Sequence, residues 1–138
     1  MELIVKARKD IESKDNPNLL AIINCGFPES LHNNVAIDIC NIFALESKMN
    51  WLGGAGIGGG GAIDGRPLSE VGNIKNIIQG LNLISECIIN KNEIPKGVFY
   101  LLSKQFIPTW LYVNFGNIGW RLTAKKNKVK TSLFYKPY

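Results

Sequence analysis

Leu19-Leu20-Ala21-Ile22-Ile23-Asn24-Cys25-Gly26-Phe27-Pro28-Glu29 sets the architecture of this chain: an apolar run that stops abruptly in a turn. Because Leu19–Asn24 is apolar at successive rather than alternate positions, it predicts a strand buried on both faces, as in a parallel sheet. A second such stretch, Trp51 to Ile57, runs into Gly58-Gly59-Gly60-Gly61. Between the two, Val35, Ile39 and Ile42 recur at helical spacing beside Ala36, Cys40 and Phe43. That broad stripe suits a helix covering a sheet, with Ser30 able to cap it and Lys48-Met49-Asn50 ending it. After the second loop, Ile74, Ile77, Ile78, Leu81, Ile84 and Ile88 fall on one face and predict a helix from Ser69 to Asn90, closed by Ile94-Pro95. Strand, helix and parallel strand form a βαβ unit. Ligands of open α/β sheets sit beyond the carboxyl ends of the strands, so the two loops are expected side by side on that edge.

The flanks are less regular. Leu3, Ile4, Ala7 and Ile11 match a helix over residues 1–13, with a strand at Leu3 to Val5 as the alternative. Lys14-Asp15-Asn16-Pro17-Asn18 reads as a turn. Gly53, Gly54 and Gly56 make Trp51–Ile57 a poor strand by propensity, and make sense where another backbone or a flat ligand approaches closely. Beyond the α/β part, Val98 to Gln105 can form a helix, Ile107-Pro108 breaks it, and Thr109 to Phe115 can form another. Gly116 and Gly119 punctuate the aromatic run Trp110, Tyr112, Phe115 and Trp120. Arg121 to Val129 reads as a basic helix, and Tyr135-Lys136-Pro137-Tyr138 as an extended end. The expected division is an α/β half-domain at 1–94 and a basic, aromatic extension at 95–138.

At 138 residues, 46% hydrophobic and 20% charged, the chain has the composition of an ordinary globular domain. Its net charge of +5 is unevenly spread. Residues 1–93 hold eight Lys/Arg against eleven Asp/Glu, a net of −3, while residues 94–138 hold eight Lys/Arg and no acid, a net of +8. Such a tail can meet nucleic acid, an anionic surface or an acidic patch. Its aromatics are expected instead to pack on the domain or a subunit partner and leave the lysines in water, so nucleic acid is not the expected partner. Met1-Glu2-Leu3-Ile4-Val5-Lys6 lacks the pattern of a secretory leader, and no stretch approaches the apolar length of a membrane span. Cys25, Cys40 and Cys87 are odd in number and have no CxxC spacing. Reduced thiols in a cytoplasmic protein are therefore expected, without a metal site.

The loop Asn24 to Glu29 combines exposed backbone polar groups at Gly26 with the flat apolar surface of Phe27 and Pro28. No Lys or Arg lies in it, so it suits a planar heteroaromatic ring better than a phosphate. A plain strand-to-helix turn needs the same residues. Gly58 to Gly61 does not end in Gly-Lys-Ser/Thr, and a GxGxxG register through Gly54, Gly56 and Gly59 is followed by a helix only ten residues on. A ligand-touching loop and a plain linker both fit it. Cys25 with His32 is a candidate nucleophile and base that lacks an evident third group.

Asn24-Cys25-Gly26-Phe27-Pro28-Glu29, Trp51-Leu52-Gly53-Gly54 with Gly58-Gly59-Gly60-Gly61, Ile107-Pro108-Thr109-Trp110-Leu111, Gly119-Trp120-Arg121 and Lys136-Pro137-Tyr138 together resemble the flavodoxin-like NAD(P)H-dependent FMN reductases of anaerobic Firmicutes. The resemblance runs from about Met1 to Tyr138 and matches the C-terminal half of those proteins. It implies the fourth and fifth strands of a doubly wound parallel sheet, with flanking helices and a basic aromatic helical extension. It implies FMN at the carboxyl edge, its isoalloxazine ring against Asn24, Cys25, Gly26, Phe27, Pro28 and Glu29 with Gly58, Gly59, Gly60 and Gly61 nearby. NAD(P)H would be the hydride donor. The family's first strand-to-helix loop, which binds the FMN phosphate, has no counterpart here. The implied forms are a truncated or split reductase, one half of a pair with a separate N-terminal half, or a homo-oligomer; a non-catalytic interaction subunit is the alternative.

Overall fold

The computed structural model describes every residue except 10–15, 64, 66 and 130–138. The extended end expected at 135–138 and part of the turn at 14–18 lie outside the described residues. The chain divides into two compact units, Met1–Phe106 and Ile107–Tyr138. The first continues past residue 94, where the sequence suggested a boundary, because a further helix belongs to it.

In the first unit, helix α1 (Glu2–Lys9) precedes strand β1 (Asn18–Asn24), helix α2 (Asn34–Glu46), strand β2 (Asn50–Ile57), helix α3 (Lys75–Ile89) and helix α4 (Lys96–Ser103). The two strands pair in parallel, from Asn18 opposite Asn50 to Asn24 opposite Ile57. The pairing slips by one residue where Leu19 and Leu20 face Trp51 and Gly53. At the amino end, Asn50 donates its backbone N–H to the Pro17 carbonyl and its side-chain amide to the Asn16 carbonyl and Asn18 Oδ1. The result is an α/β unit built on a two-stranded parallel sheet.

The glycines of β2 are explained by what packs on them. Gly53 has φ +125° and the Phe99 ring of α4 lies directly over it, Cε2 being 2.8 Å from where a Cβ would stand. Gly54 meets Ile37 of α2, and Gly56 the Ser30 carbonyl and Asn33. Close approach was expected, and the sheet's own helices make it. Ile74, Ile77 and Ile84 of the α3 region pack with Val98, Leu102 and Phe106 as the buried core, Leu102 closing on Gly80. Asn73 ties this end down by donating to the Phe106 carbonyl at 2.8 Å.

Four expectations change. β1 is not buried on both faces: Ala21 is buried, but Ile22, the next residue and so on the opposite face of the sheet, is 45% exposed, because that face is not fully covered. Ser30 does not cap a helix; it opens a short 3₁₀ turn (Ser30–Asn33) whose leading residue makes no side-chain cap bond. The stripe Val35, Ile39, Ile42 does not cover the sheet but is exposed, the buried contact of α2 being made by Ile37 and Ala44 instead. Finally, α3 begins at Lys75, after a separate 3₁₀ turn at Leu68–Glu70. α1 is anchored by Arg8, which donates to the Ser47 and Lys48 carbonyls at 2.8 and 3.1 Å. A guanidinium there meets the unpaired carbonyls at the end of α2.

The described residues of the second unit form one helix, α5 (Thr109–Lys126), rather than two. Tyr112 N–H bonds the Pro108 carbonyl at its start, and Lys125 and Lys126 occupy its last turn, where cations are favoured. Gly116 and Gly119 lie within it without breaking it; glycine lowers helix stability but does not block the backbone as proline does.

Candidate functional site

The two loops that leave β1 and β2 lie side by side at the carboxyl edge. The ladder runs on beyond the strands, with Cys25 N–H donating to the Ile57 carbonyl at 3.0 Å. Gly60 N–H then bonds the Cys25 carbonyl at 2.7 Å, and Gly59 N–H the Phe27 carbonyl at 2.6 Å. Gly59 takes φ +70°, which lets its N–H turn back onto the first loop. Gly58 faces the Pro28 carbonyl so closely that any side chain would collide with backbone. Gly60 sits 3.0 Å from Asn24 Nδ2 and the Cys25 carbonyl, as measured from where its Cβ would be.

Asn33, which sequence reading passed over, holds this edge together. It is 2% exposed, and its Nδ2 donates to the Ser30 and Ile57 carbonyls, both at 3.1 Å, with Cys25 Sγ at 3.4 Å. The bond to Ile57 joins the first loop to the end of β2. A buried amide with its donors satisfied by main-chain carbonyls fixes a loop geometry. The sequence offered one hint, a polar residue just ahead of an apolar helix, but nothing there tells a buried clip from a surface cap.

Cys25 Sγ also lies 3.5 Å from the Phe27 and Glu29 carbonyls. Its described contacts are these and Asn33, so the thiol is not seen paired with His32. That imidazole packs on Phe27 instead, with ring centroids 4.9 Å apart and planes tilted by 46°. No group of three or more His, Cys, Asp or Glu among the described residues is placed to hold a metal. No helix among them is long and apolar enough to cross a membrane.

The edge therefore has a closed side and an open side. Pro28, Gly58 and Gly59 are buried in the junction. Gly26 has open space around its α-carbon, Phe27 is 57% exposed, and Gly61 is also open. Of the backbone groups on the first loop, Cys25 N–H and C=O and the Phe27 carbonyl are used within the chain. Among the described residues, the polar groups of Gly26 and the Phe27 N–H make no such bond. What stands open is a shelf, with a flat ring on one side and unpaired peptide groups beside it. It can accept the polar rim of a planar molecule. Neither Asn24–Glu29 nor Gly58–Gly61 holds a Ser, Thr, Lys or Arg.

No protein-family model, no curated protein and no solved structure matches the chain.

Proposed function

We propose that the chain is the ring-side half of a flavodoxin-like unit that binds FMN through the isoalloxazine edge by itself, and more tightly when added strands extend its sheet. The supporting observation is the junction itself: a two-stranded parallel sheet whose carboxyl-edge loops are locked by Gly59, Gly60 and Asn33, leaving Gly26 and Phe27 presented. Parallel sheets ordinarily have both faces covered and more than two strands. Among the described residues no strand lies on the outer edge of β1, and Ile22 of β1 is exposed. A further strand at that edge would raise a wall next to the shelf, and a helix packed over the face with it would bury Ile22.

In this reading a bound flavin supplies hydride-transfer chemistry from NAD(P)H to a small acceptor. Gly26 and Phe27 peptide groups hold the ring rim, the Phe27 ring supplies apolar surface, and Asn33 keeps the loop in shape. The phosphate is met by residues outside the two loops. The alternative, an interaction subunit without catalysis, is favoured by the openness of the shelf: an added Cβ at Gly26 or Gly61 would have nothing within 4 Å. The first reading gives a yellow protein on purification with its complement, the second a colourless one.

Titration of the chain with FMN, followed by flavin fluorescence, tests the proposal. Quenching in the micromolar range is expected, and loss of it in Gly26→Val, with far-UV circular dichroism unchanged. A Cβ at Gly26 would have nothing within 4 Å of it, so the variant is expected to fold. Unaltered affinity in Gly26→Val, or no quenching by the wild type, overturns the ring placement.

A further inference from the structure

The outer face of α2 has no part in that reading. Val35, Ile39 and Ile42 stand on it at i, i+4 and i+7, each more than half exposed. This spacing makes one continuous stripe along a helix, and contiguous exposed apolar surface marks a contact site. Beside it, α1 and α2 enclose a hollow of about 400 Å³, whose lining includes Ile39, Ile42 and Phe43 and the charged Glu2, Lys6 and Glu46. The charged residues of α2 itself are Asp38 and Glu46, both acidic.

α5 carries the complementary pattern. Leu111, Phe115, Ile118 and Leu122 recur at i, i+4, i+7 and i+11, and Arg121, Lys125 and Lys126 flank them with no acid anywhere on the helix. Phe115, Ile118 and Leu122 are exposed. A helix of this length draws most of its stability from packing an apolar face. The alternating steps of four and three are the same on both helices, which is what allows side chains of one to seat between those of another. Only a parallel placement brings Glu46, at the end of α2, next to Lys125 and Lys126, at the end of α5.

We propose that a second copy of this chain covers α2: α5 of each copy lies parallel along α2 of the other, in a reciprocal two-fold dimer. Both members of the complementary pair are on every chain, so one closed exchange covers both exposed stripes. Opposite charge fixes the register and opposes other partners. The proposal is independent of flavin binding.

The test uses the full chain and its mass in solution by sedimentation. The wild type is expected at twice 15.3 kDa. Asp38→Lys/Glu46→Lys is expected at the monomer mass at the same concentration, and so is Lys125→Glu/Lys126→Glu, each keeping its far-UV spectrum. Mixing the two variants restores twice the monomer mass, because one reversed pair and one native pair then face each other. A monomeric wild type overturns the proposal, as does a wild type that stays monomeric and binds anionic phospholipid vesicles. Dimers that survive both reversals point to another interface, such as the β1 edge, and overturn this contact while leaving the flavin reading untouched. Failure of the mixture to reassociate also overturns it, since a contact within one chain gains nothing from mixing.

Discussion

Asn33 shows what one side chain does for this edge. Its amide donors end on carbonyls of two different segments, Ser30 and Ile57, while the residue is almost wholly buried. Removing the amide takes one donor from each of those carbonyls, although Ile57 keeps the bond from Cys25 N–H, so two hydrogen bonds are lost. Asn33→Ala is therefore expected to lower stability by about 1–3 kcal/mol, read as a shift in the urea midpoint with an unchanged slope. Gly58 constrains the same junction differently. Its neighbour is the Pro28 backbone, which cannot swing aside as a side-chain tip does. Gly26, four residues ahead of the 3₁₀ turn, has open space instead. Glycines that look equivalent in the sequence are thus of two kinds, one required by packing and one left free at the shelf.

At the scale of elements, the glycines of β2 and of α5 behave in opposite ways. Gly53 combines φ +125° with the Phe99 ring, so Gly53→Ala must strain the backbone and push that ring aside. The expected cost is about 2–4 kcal/mol in unfolding free energy. Gly116 lies in a helix with nothing near its α-carbon. Gly116→Ala is expected to raise the helicity of α5 and stabilise it by about 0.5–1 kcal/mol, seen as a stronger 222 nm circular dichroism signal. Helical periodicity located α2 and the body of α3, because an apolar repeat of 3.6 is a local property, but it started α3 at Ser69 where the helix begins at Lys75. It misassigned the faces of α2. That helix is apolar nearly all round, and only the presence of Gly54 opposite Ile37 decides which side meets the sheet. The joining of two expected tail helices into α5 has a similar cause: glycine weakens a helix without forbidding it, so its effect depends on the residues around it.

Over the whole molecule, Met1–Phe106 contains both strands, the buried cluster around Ile77 and Leu102, and the Asn73 to Phe106 bond. A chain ending after Phe106 is expected to keep a cooperative thermal transition, because each of those contacts is internal to it. A broad, non-cooperative transition would mean that residues 107–138 are needed for the core. The free edge of β1 and the exposed stripes on α2 and α5 are surfaces that ordinary monomers cover or charge. Both the flavin proposal and the dimer proposal begin from such surfaces, and they use different ones.

The order of elements, the parallel βαβ unit and the neighbouring of two loops at one edge are all legible in the residue pattern. Apolar runs that end in glycine-rich turns, with a helical repeat between them, leave a short chain few other arrangements. The charge asymmetry between the first 93 residues and the remainder was equally plain in it. Tertiary structure alone decided which face of α2 is buried, which peptide groups near Gly26 are spent inside the chain, and that Asn33 clips the loops. Those features depend on what lies across space from each residue. Nothing in the local pattern around Asn33 records that the Ile57 carbonyl stands 3.1 Å away.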